Sequence, residues 1–220
     1  MTPNIATAAT GDDRDAKFNR AYIFAIALTA ALGGLMFGYD WVVIGGAELF
    51  YEKYFQLTGA LQIGWAMSSA LIGALVGAIF AGALSDKFGR KPLLLFSGFL
   101  FVITSIGTGL APNFEFFIAK SLLGGMATGI AANLSPLYIA EVAPASMRGR
   151  LVSVNQLTIA LGVMLAQIVN WLIARSTPPG MAAGDLPLDS WNVQTAWRWM
   201  FGVTAIPAAI FFIAMFLVPE

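Results

Sequence analysis

Few residues of this sequence could do chemistry, and the first of them is an aspartate inside a long apolar stretch. Asp40 lies between GGLMFGY and WVVIGG, so its carboxyl group has few polar neighbours along the chain. A carboxylate inside an apolar helix costs several kcal/mol, so it usually faces a cavity or a partner and marks a functional site. Asp40 is therefore the first candidate for a functional residue.

A basic residue, Lys120, lies a few residues inside a second apolar stretch. Asp40 follows about 19 residues of its own stretch, or ~28 Å of helix toward the outer side, so the two side chains could lie at similar depth and pair. The alternative is that both are interfacial and extend their charged ends to water.

Amide side chains form a third group of candidates. Gln156 and Gln167 are eleven residues apart, about three helical turns, so they share one helix face, and Asn170 follows in the same stretch. Amides both donate to and accept from hydroxyl groups, so this face could line a path for a neutral, hydroxyl-rich solute. Hydrogen bonding between helices explains such amides equally well.

The composition excludes several classes of protein. Of the 220 residues, 58% are hydrophobic and 11% are charged, too few charges to cover a soluble surface, so the bilayer must be the solvent. There are no cysteines or histidines, which excludes disulfides, thiol catalysis and histidine-based metal or acid–base chemistry. The net charge of zero argues against a nucleic-acid partner. No nucleophile–base pair or metal-ligand cluster appears, so we expect neither an enzyme nor a bound cofactor.

Six apolar stretches are long enough to be membrane-spanning helices, which need ~20 residues each. They are residues 22–46, 61–84, 93–110, 114–139, 151–174 and 197–218. Residues 1–20 are polar, lack the order of a signal peptide, and are predicted to be a disordered cytoplasmic tail. The sequence thus predicts an all-α membrane protein, with residues 21–220 forming one six-helix domain.

Lysines and arginines indicate the orientation of these helices. Eight of them fall in the tail and in the second and fourth connections, whereas three fall on the opposite side. Because basic residues favour the cytoplasmic side, both termini are predicted to be cytoplasmic, in a multi-pass protein of the cell membrane.

Two apolar stretches share a glycine motif. LGGLMFG begins at Leu32 and LGGMATG begins at Leu123, 91 residues and three predicted helices later. With an odd number of helices per repeat the two copies are inverted in the membrane, and a 3+3 inverted repeat is a transporter design. The alternative is that small residues recur wherever membrane helices pack closely, and we assign Gly73 and Gly77 to such packing.

Several motifs, in order along the chain, resemble the sugar porter family of the major facilitator superfamily. They are GGLMFGYDWVVIGG, Gly82-xxx-Asp86-Lys87-x-Gly89-Arg90-Lys91, Pro136-x-Tyr138-xx-Glu141-xx-Pro144-xxx-Arg148-Gly149 followed by Gln156, then Trp197-Arg198 and a final Val218-Pro219-Glu220. The pattern is closest to the bacterial proton-coupled symporters. The resemblance implies that the chain is the N-terminal six-helix half of a twelve-helix transporter, without the C-terminal half.

This resemblance implies a monosaccharide transporter working by alternating access, with the proton as coupling ion. Gln156 corresponds to a contact with sugar hydroxyls, Phe37 to an aromatic packed on the sugar, and Asp40 to the proton carrier. Family members carry an arginine at the position of Ser121, so either Lys120 serves in its place or Asp40 is less well stabilised. A facilitative uniporter and a sugar sensor without net flux stay open, as does a six-helix protein that dimerises.

The charged segment SDKFGRKP, residues 85–92, corresponds in the family to part of a cytoplasmic gate. Gly89 permits a tight turn, and Arg90 can form bidentate ion pairs with carboxylates. The resemblance implies a gate network that consists of Asp86, Gly89, Arg90, Glu141 and Arg148. The alternative is that the basic residues only hold this connection in the cytoplasm.

Overall fold

The computed structural model describes residues 20–174 and 185–219, and all regular structure in these ranges is helical. The helices are α1 (Arg20–Tyr54), α2 (Ala60–Phe88), α3 (Arg90–Gly109), α4 (Phe114–Val142), α5 (Arg148–Ala174) and α6 (Asn192–Phe216). All six are long and apolar enough to cross a membrane, which confirms the prediction of an all-α membrane protein. The predicted tail lies outside the described residues except for Arg20.

Two helices have an end that differs from its predicted position by five residues or more. α1 continues to Tyr54, eight residues past the predicted end at Gly46. α6 begins five residues before Trp197 with a π-helical turn at Asn192–Ala196, and it is interrupted at Thr204. The interruption has a local cause, because Pro207 lacks the N–H that would bond the carbonyl of Val203 and its ring crowds that carbonyl.

The connections alternate between the two ends of the bundle. The helix ends beside the α2–α3 and α4–α5 connections carry Lys87, Arg90, Lys91, Arg148 and Arg150, and we name this the basic end. The opposite end is the distal end. At the basic end Gly89 joins α2 to α3 with a φ of 88°, a conformation that favours glycine, so the expected tight turn is present. The short turn holds Asp86 and Arg90 on neighbouring helix ends.

Glycines set the two closest helix crossings. A β-carbon added at Gly38 of α1 would overlap the backbone carbonyl of Ile159 in α5. One added at Gly129 of α4 would overlap the carbonyl of Ala74 in α2. The two glycines are separated by the same 91 residues as the two sequence motifs, so equivalent motif positions make equivalent contacts.

The same correspondence extends along both crossings. Three contacts between α1 and α5 have counterparts between α4 and α2. Gly34 lies against Asn155 as Gly125 lies against Ala70, and Gly38 lies against Ile159 as Gly129 lies against Ala74. In the same register, Gly162 lies against Leu35 as Gly77 lies against Met126. Since α1 starts at the basic end and α4 at the distal end, the two copies are inverted. These contacts confirm the 3+3 inverted repeat. Gly77, which was assigned to helix packing alone, is also an equivalent position of the repeat.

Side chains of α5 donate hydrogen bonds to the backbone of α1 across their crossing. Thr158 occupies the position equivalent to Gly73, and its hydroxyl donates to the carbonyl of Ala31 at 2.6 Å. Farther along α5, the Asn170 amide donates to the carbonyl of Val42 at 3.3 Å. The assignment of Asn170 to interhelical hydrogen bonding is therefore the correct one.

An aromatic cluster closes the distal end. Its members are Tyr51, Tyr54, Phe55, Phe117, Trp197 and Phe201, with ring centroids 5.0 to 6.0 Å apart. The Arg198 guanidinium lies over the Tyr54 and Trp197 rings and donates to the Tyr54 hydroxyl at 2.8 Å and to the Gly109 carbonyl at 3.1 Å. The ends of α1, α3 and α6 are thus joined through one cation.

Candidate functional site

Asp40 lies beside a cavity at mid-height of the bundle. The cavity has a volume of about 210 Å³ and lies between α1, α2 and α4, where its lining includes Asp40, Trp41, Ser68 and Thr128. The Thr128 hydroxyl donates to Asp40 Oδ2 at 3.2 Å. Thr128 is the middle residue of α4, so Asp40 lies deeper than the outer position expected from the sequence, because α1 extends past Gly46.

Lys120 does not pair with Asp40 in this structure, so the first of the two alternatives is not observed. The aliphatic part of Lys120 lies against Gly107 of α3, and its ammonium group lies 5.1 Å from the centre of the Phe116 ring. Lys120 is two helical turns nearer the distal end than Thr128 and points toward a different neighbour. Ser121, at the position of the family arginine, is buried on the same face of α4 as Thr128. Asp40 thus has no basic partner among the described residues.

The two glutamines of α5 lie on its exposed face. Gln156 and Gln167 are both exposed and make no hydrogen bond within the described ranges, whereas Asn155, Thr158 and Asn170 face α1. Contacts of Asn155 with Gly34 and of Asn170 with Val42 place the glutamines on either side of the level of Asp40. Their amides are therefore exposed on either side of that level.

Phe37 lies one turn before Asp40 toward the basic end. Its ring is partly buried and meets the ring of Trp41 edge to face, with centroids 6.2 Å apart. Trp41 is 49% exposed and also lines the cavity. A partly exposed aromatic pair beside a carboxylate suits the apolar face and the polar edge of one solute.

At the basic end, Arg90 joins two carboxylates. Its Nε lies 3.1 Å from Glu141 Oε1, an ion pair without hydrogen-bond alignment, and its Nη2 lies 3.5 Å from Asp86 Oδ1. Its Nη1 also donates to the carbonyl of Ser85, near the end of α2, at 3.5 Å. The structure brings these three charged residues of the expected gate network together. Arg148, the remaining charged member, is exposed and makes no ion pair with the described residues.

The Arg90–Glu141 pair should contribute modestly to stability. We expect a double-mutant cycle of Arg90→Gln and Glu141→Gln to give a coupling of about 0.5–1 kcal/mol, because the two side chains are 32% and 43% exposed. Asp86 is 76% exposed, so its coupling with Arg90 should be smaller.

Thermal unfolding of the purified protein measures this coupling. The coupling energy between Arg90 and Glu141 should decrease at about 1 M salt, since salt screens exposed charges. Arg148→Gln serves as control, because it removes a charge at the same end that makes no ion pair with the described residues. A coupling near zero at low salt would show that Arg90 and Glu141 do not act as a pair.

Three side chains of the cavity that carry a hydroxyl or an aromatic ring, Trp41, Ser68 and Thr128, were not among the residues expected from the sequence. Thr128 had a usable signal, because it is a hydroxyl residue inside LGGMATG, two turns after Ser121 on one helix face. Ser68 carries no such signal, because only the packing of α2 in the bundle brings it to the cavity beside Asp40. Trp41 directly follows Asp40 in the sequence and lines the same cavity. Among the described residues, no group of three metal-binding side chains occurs.

The chain is similar to known sugar transporters over most of its length. Residues 26–220 match the family described as Sugar (and other) transporter. The chain is 41% identical to the glucose transport protein of Synechocystis sp. over 203 residues, which are 92% of this chain and 42% of that protein. It is 37% identical to the D-xylose-proton symporter of Escherichia coli over 229 aligned residues, covering 93% of this chain and 45% of that protein. It therefore spans less than half the length of these relatives.

Solved structures agree with the sequence comparison. The major facilitator superfamily proton:xylose symporter XylE, bound to 6-bromo-6-deoxy-D-glucose, superposes with a TM-score of 0.83 at 36% identity, covering 92% of this chain and 46% of that one. A bacterial homolog of the human lysosomal transporter Spinster shares the fold alone, with a TM-score of 0.74 at 14% identity. The resemblance inferred from the motifs is thus confirmed. The chain belongs to the sugar porter family of the major facilitator superfamily.

Proposed function

We propose that the full-length protein containing this chain is a secondary transporter that couples monosaccharide entry to proton entry. The observation that carries the proposal is Asp40, a carboxylate at mid-height of an apolar bundle, beside a cavity and without a basic partner among the described residues. Such a charge is costly in the membrane interior, and binding a proton removes that cost. Protonation therefore changes the relative stability of conformations that expose Asp40 and conformations that enclose it.

The proposed cycle uses this difference in cost. Asp40 takes up a proton while its cavity is open to the outside, and the neutral carboxyl group lets the loaded protein close and reopen inward. The ion pairs of Arg90 at the basic end would stabilise the outward-open state, and their loss would favour the inward-open state. Because each pair contributes about 1 kcal/mol or less, either state stays accessible.

The substrate class follows from the amides, the aromatic pair and the relatives. Relatives of this chain are named as transporters or proton symporters of D-xylose, galactose and arabinose. We propose that Gln156 and Gln167 bind sugar hydroxyls and that Phe37 packs on the sugar ring, as amides and aromatic faces do in carbohydrate sites.

A second six-helix half is the proposed partner of this domain. α2 and α5 are the least buried helices, with 28% and 22% of their most apolar windows buried, and they occupy equivalent positions in the inverted repeat. A second half packed on both would cover these faces and complete the solute site. By the distribution of lysine and arginine we propose that the basic end faces the cytoplasm in the cell membrane.

Uptake into proteoliposomes tests the proposal. The full-length protein should accumulate a monosaccharide when the outside is more acidic, and a protonophore should abolish the accumulation. A facilitative uniporter would equilibrate the sugar without accumulating it, and a sensor would bind sugar without flux. Either of these results would refute proton symport. The size of the native product, measured in its own membrane, separates a two-half transporter from a six-helix protein that dimerises.

The exposed glutamine nearest the basic end gives a sharper prediction. Gln156→Ala should raise the sugar KM about three- to tenfold, the effect of losing one neutral hydrogen bond. Leu157→Ala is the control, because Leu157 is 59% exposed on the same turn of α5 and has no polar group. An unchanged KM in Gln156→Ala would place the sugar elsewhere.

A further inference from the structure

The Thr128 hydroxyl donates a hydrogen bond to Asp40, and a second possible acceptor lies within its reach. Its Oγ1 lies 3.2 Å from Asp40 Oδ2 and 2.9 Å from the carbonyl oxygen of Gly124, one turn earlier in α4. A hydroxyl group has one hydrogen and two lone pairs, so it donates fully to one of these acceptors at a time. Thr128 is 2% exposed, so its hydroxyl has little access to water in this conformation.

We propose that Thr128 is the positioning residue for proton binding at Asp40, and that it takes the place of the missing basic partner. When Asp40 is ionised, the hydroxyl donates to the carboxylate. When Asp40 is protonated, the carboxyl O–H donates to Thr128 Oγ1 and the threonine hydrogen turns to the Gly124 carbonyl. No bond between α1 and α4 is lost in either state, and the proton is the one that enters with transport. This inference deepens the proposed function, because it takes Asp40 as the proton-binding group.

Apart from Thr128, none of the described side chains around Asp40 donates a hydrogen bond to its carboxylate. Of the described residues that line the cavity, Asp40 is the one ionisable residue, and α2 and α4 contribute hydroxyl and apolar groups to its lining. Lys120 lies against α3, and α5 presents Asn155, Thr158 and Asn170 to α1. Ser68 lines the same cavity, but its hydroxyl donates to the carbonyl of Gly64 in its own helix at 2.6 Å.

The expected effect of Thr128 has a defined sign. A hydrogen bond to a charged acceptor is stronger than one to a neutral group, so the hydroxyl stabilises the ionised carboxylate more than the protonated form. Removing it should make Asp40 hold its proton to a higher pH. The difference between charged and neutral hydrogen bonds corresponds to a shift of about one pH unit.

Infrared titration of the full-length protein in lipid vesicles tests this inference without relying on transport. The carbonyl stretching band of protonated Asp40 is identified by its absence in Asp40→Asn. In Thr128→Val, which keeps the shape of the side chain, the pH midpoint of this band should rise by about one unit. Thr128→Ser keeps the hydroxyl and should restore the wild-type midpoint, and Ser68→Ala should leave it unchanged. Thr128→Ala is the second variant if the valine variant does not fold.

The outcomes separate this inference from the proposed function. A wild-type midpoint in both Thr128→Val and Thr128→Ala would overturn the role of Thr128, as would a serine variant that shifts as far as the valine variant. Accumulation of sugar by Asp40→Asn would refute Asp40 as the coupling group while leaving the Thr128 contact intact. A shifted midpoint together with loss of accumulation in Asp40→Asn supports both.

Discussion

Replacing Asp40 by asparagine should abolish proton-driven accumulation of sugar in the full-length protein. Asparagine preserves the size of the side chain but cannot bind and release a proton, so the coupling group is lost. With one proton per sugar, a gradient of one pH unit supports about tenfold accumulation, because one unit equals about 1.4 kcal/mol. In Asp40→Asn the ratio of internal to external sugar should fall to about one, whatever the gradient.

Exchange of sugar across the membrane at equal pH controls for folding and binding. Asp40→Asn should still exchange labelled for unlabelled sugar, since the neutral side chain resembles the protonated carboxyl group that permits reorientation. Glu115→Gln is the matched variant, because it neutralises an exposed carboxylate in the first turn of α4, away from the cavity. Full accumulation by Asp40→Asn would show that another group carries the proton.

The second large effect concerns the helix crossings. Gly77→Ala and Gly162→Ala should each destabilise the folded protein by about 1–3 kcal/mol, the usual cost of overpacking a close contact. A β-carbon at either position would overlap a backbone carbonyl, that of Met126 or of Leu35, and a backbone cannot turn aside as a side chain does. The two positions are equivalent in the inverted repeat, so the two losses should be similar.

Gly82→Ala supplies the matched control within α2, since a β-carbon there has nothing within 4 Å. Thermal unfolding of each purified variant, followed by the loss of monodisperse protein, measures the effect. Melting temperatures of Gly77→Ala and Gly162→Ala should fall well below that of Gly82→Ala. If all three variants melt together, the glycines do not set the crossings.

The sequence was sufficient for features that depend on local order. The six apolar stretches specify helices because the bilayer leaves backbone groups no other partners, so their number follows from length and hydropathy alone. Gly89 could be assigned to a tight turn because a turn needs few residues and one of them must tolerate positive φ. The family likewise follows from motifs whose residues are close together along the chain.

The ends of the helices and the depth of Asp40 in the bundle were harder to predict from the sequence. α1 continues past Gly46, the predicted end of the first span, because GAELFYEKY contains charges that end an apolar window but do not end a helix. The shorter predicted range placed Asp40 toward the outer side. Its contact with Thr128, at the middle of α4, places it at mid-height. Charged residues can continue a helix where its sides contact other protein or water, which a hydropathy window does not register.

Only the tertiary structure decided which side chains meet. Lys120 and Ser121 are adjacent in sequence, yet one faces α3 and the other shares the face of Thr128, because neighbours in a helix point about 100° apart. Asn170 and Gln167 differ in the same way, one bonded to α1 and the other exposed. Periodicity defines the faces of each helix, but the glycine crossings decide which face each neighbour covers. The partner of Asp40 therefore follows from packing and not from the order of residues.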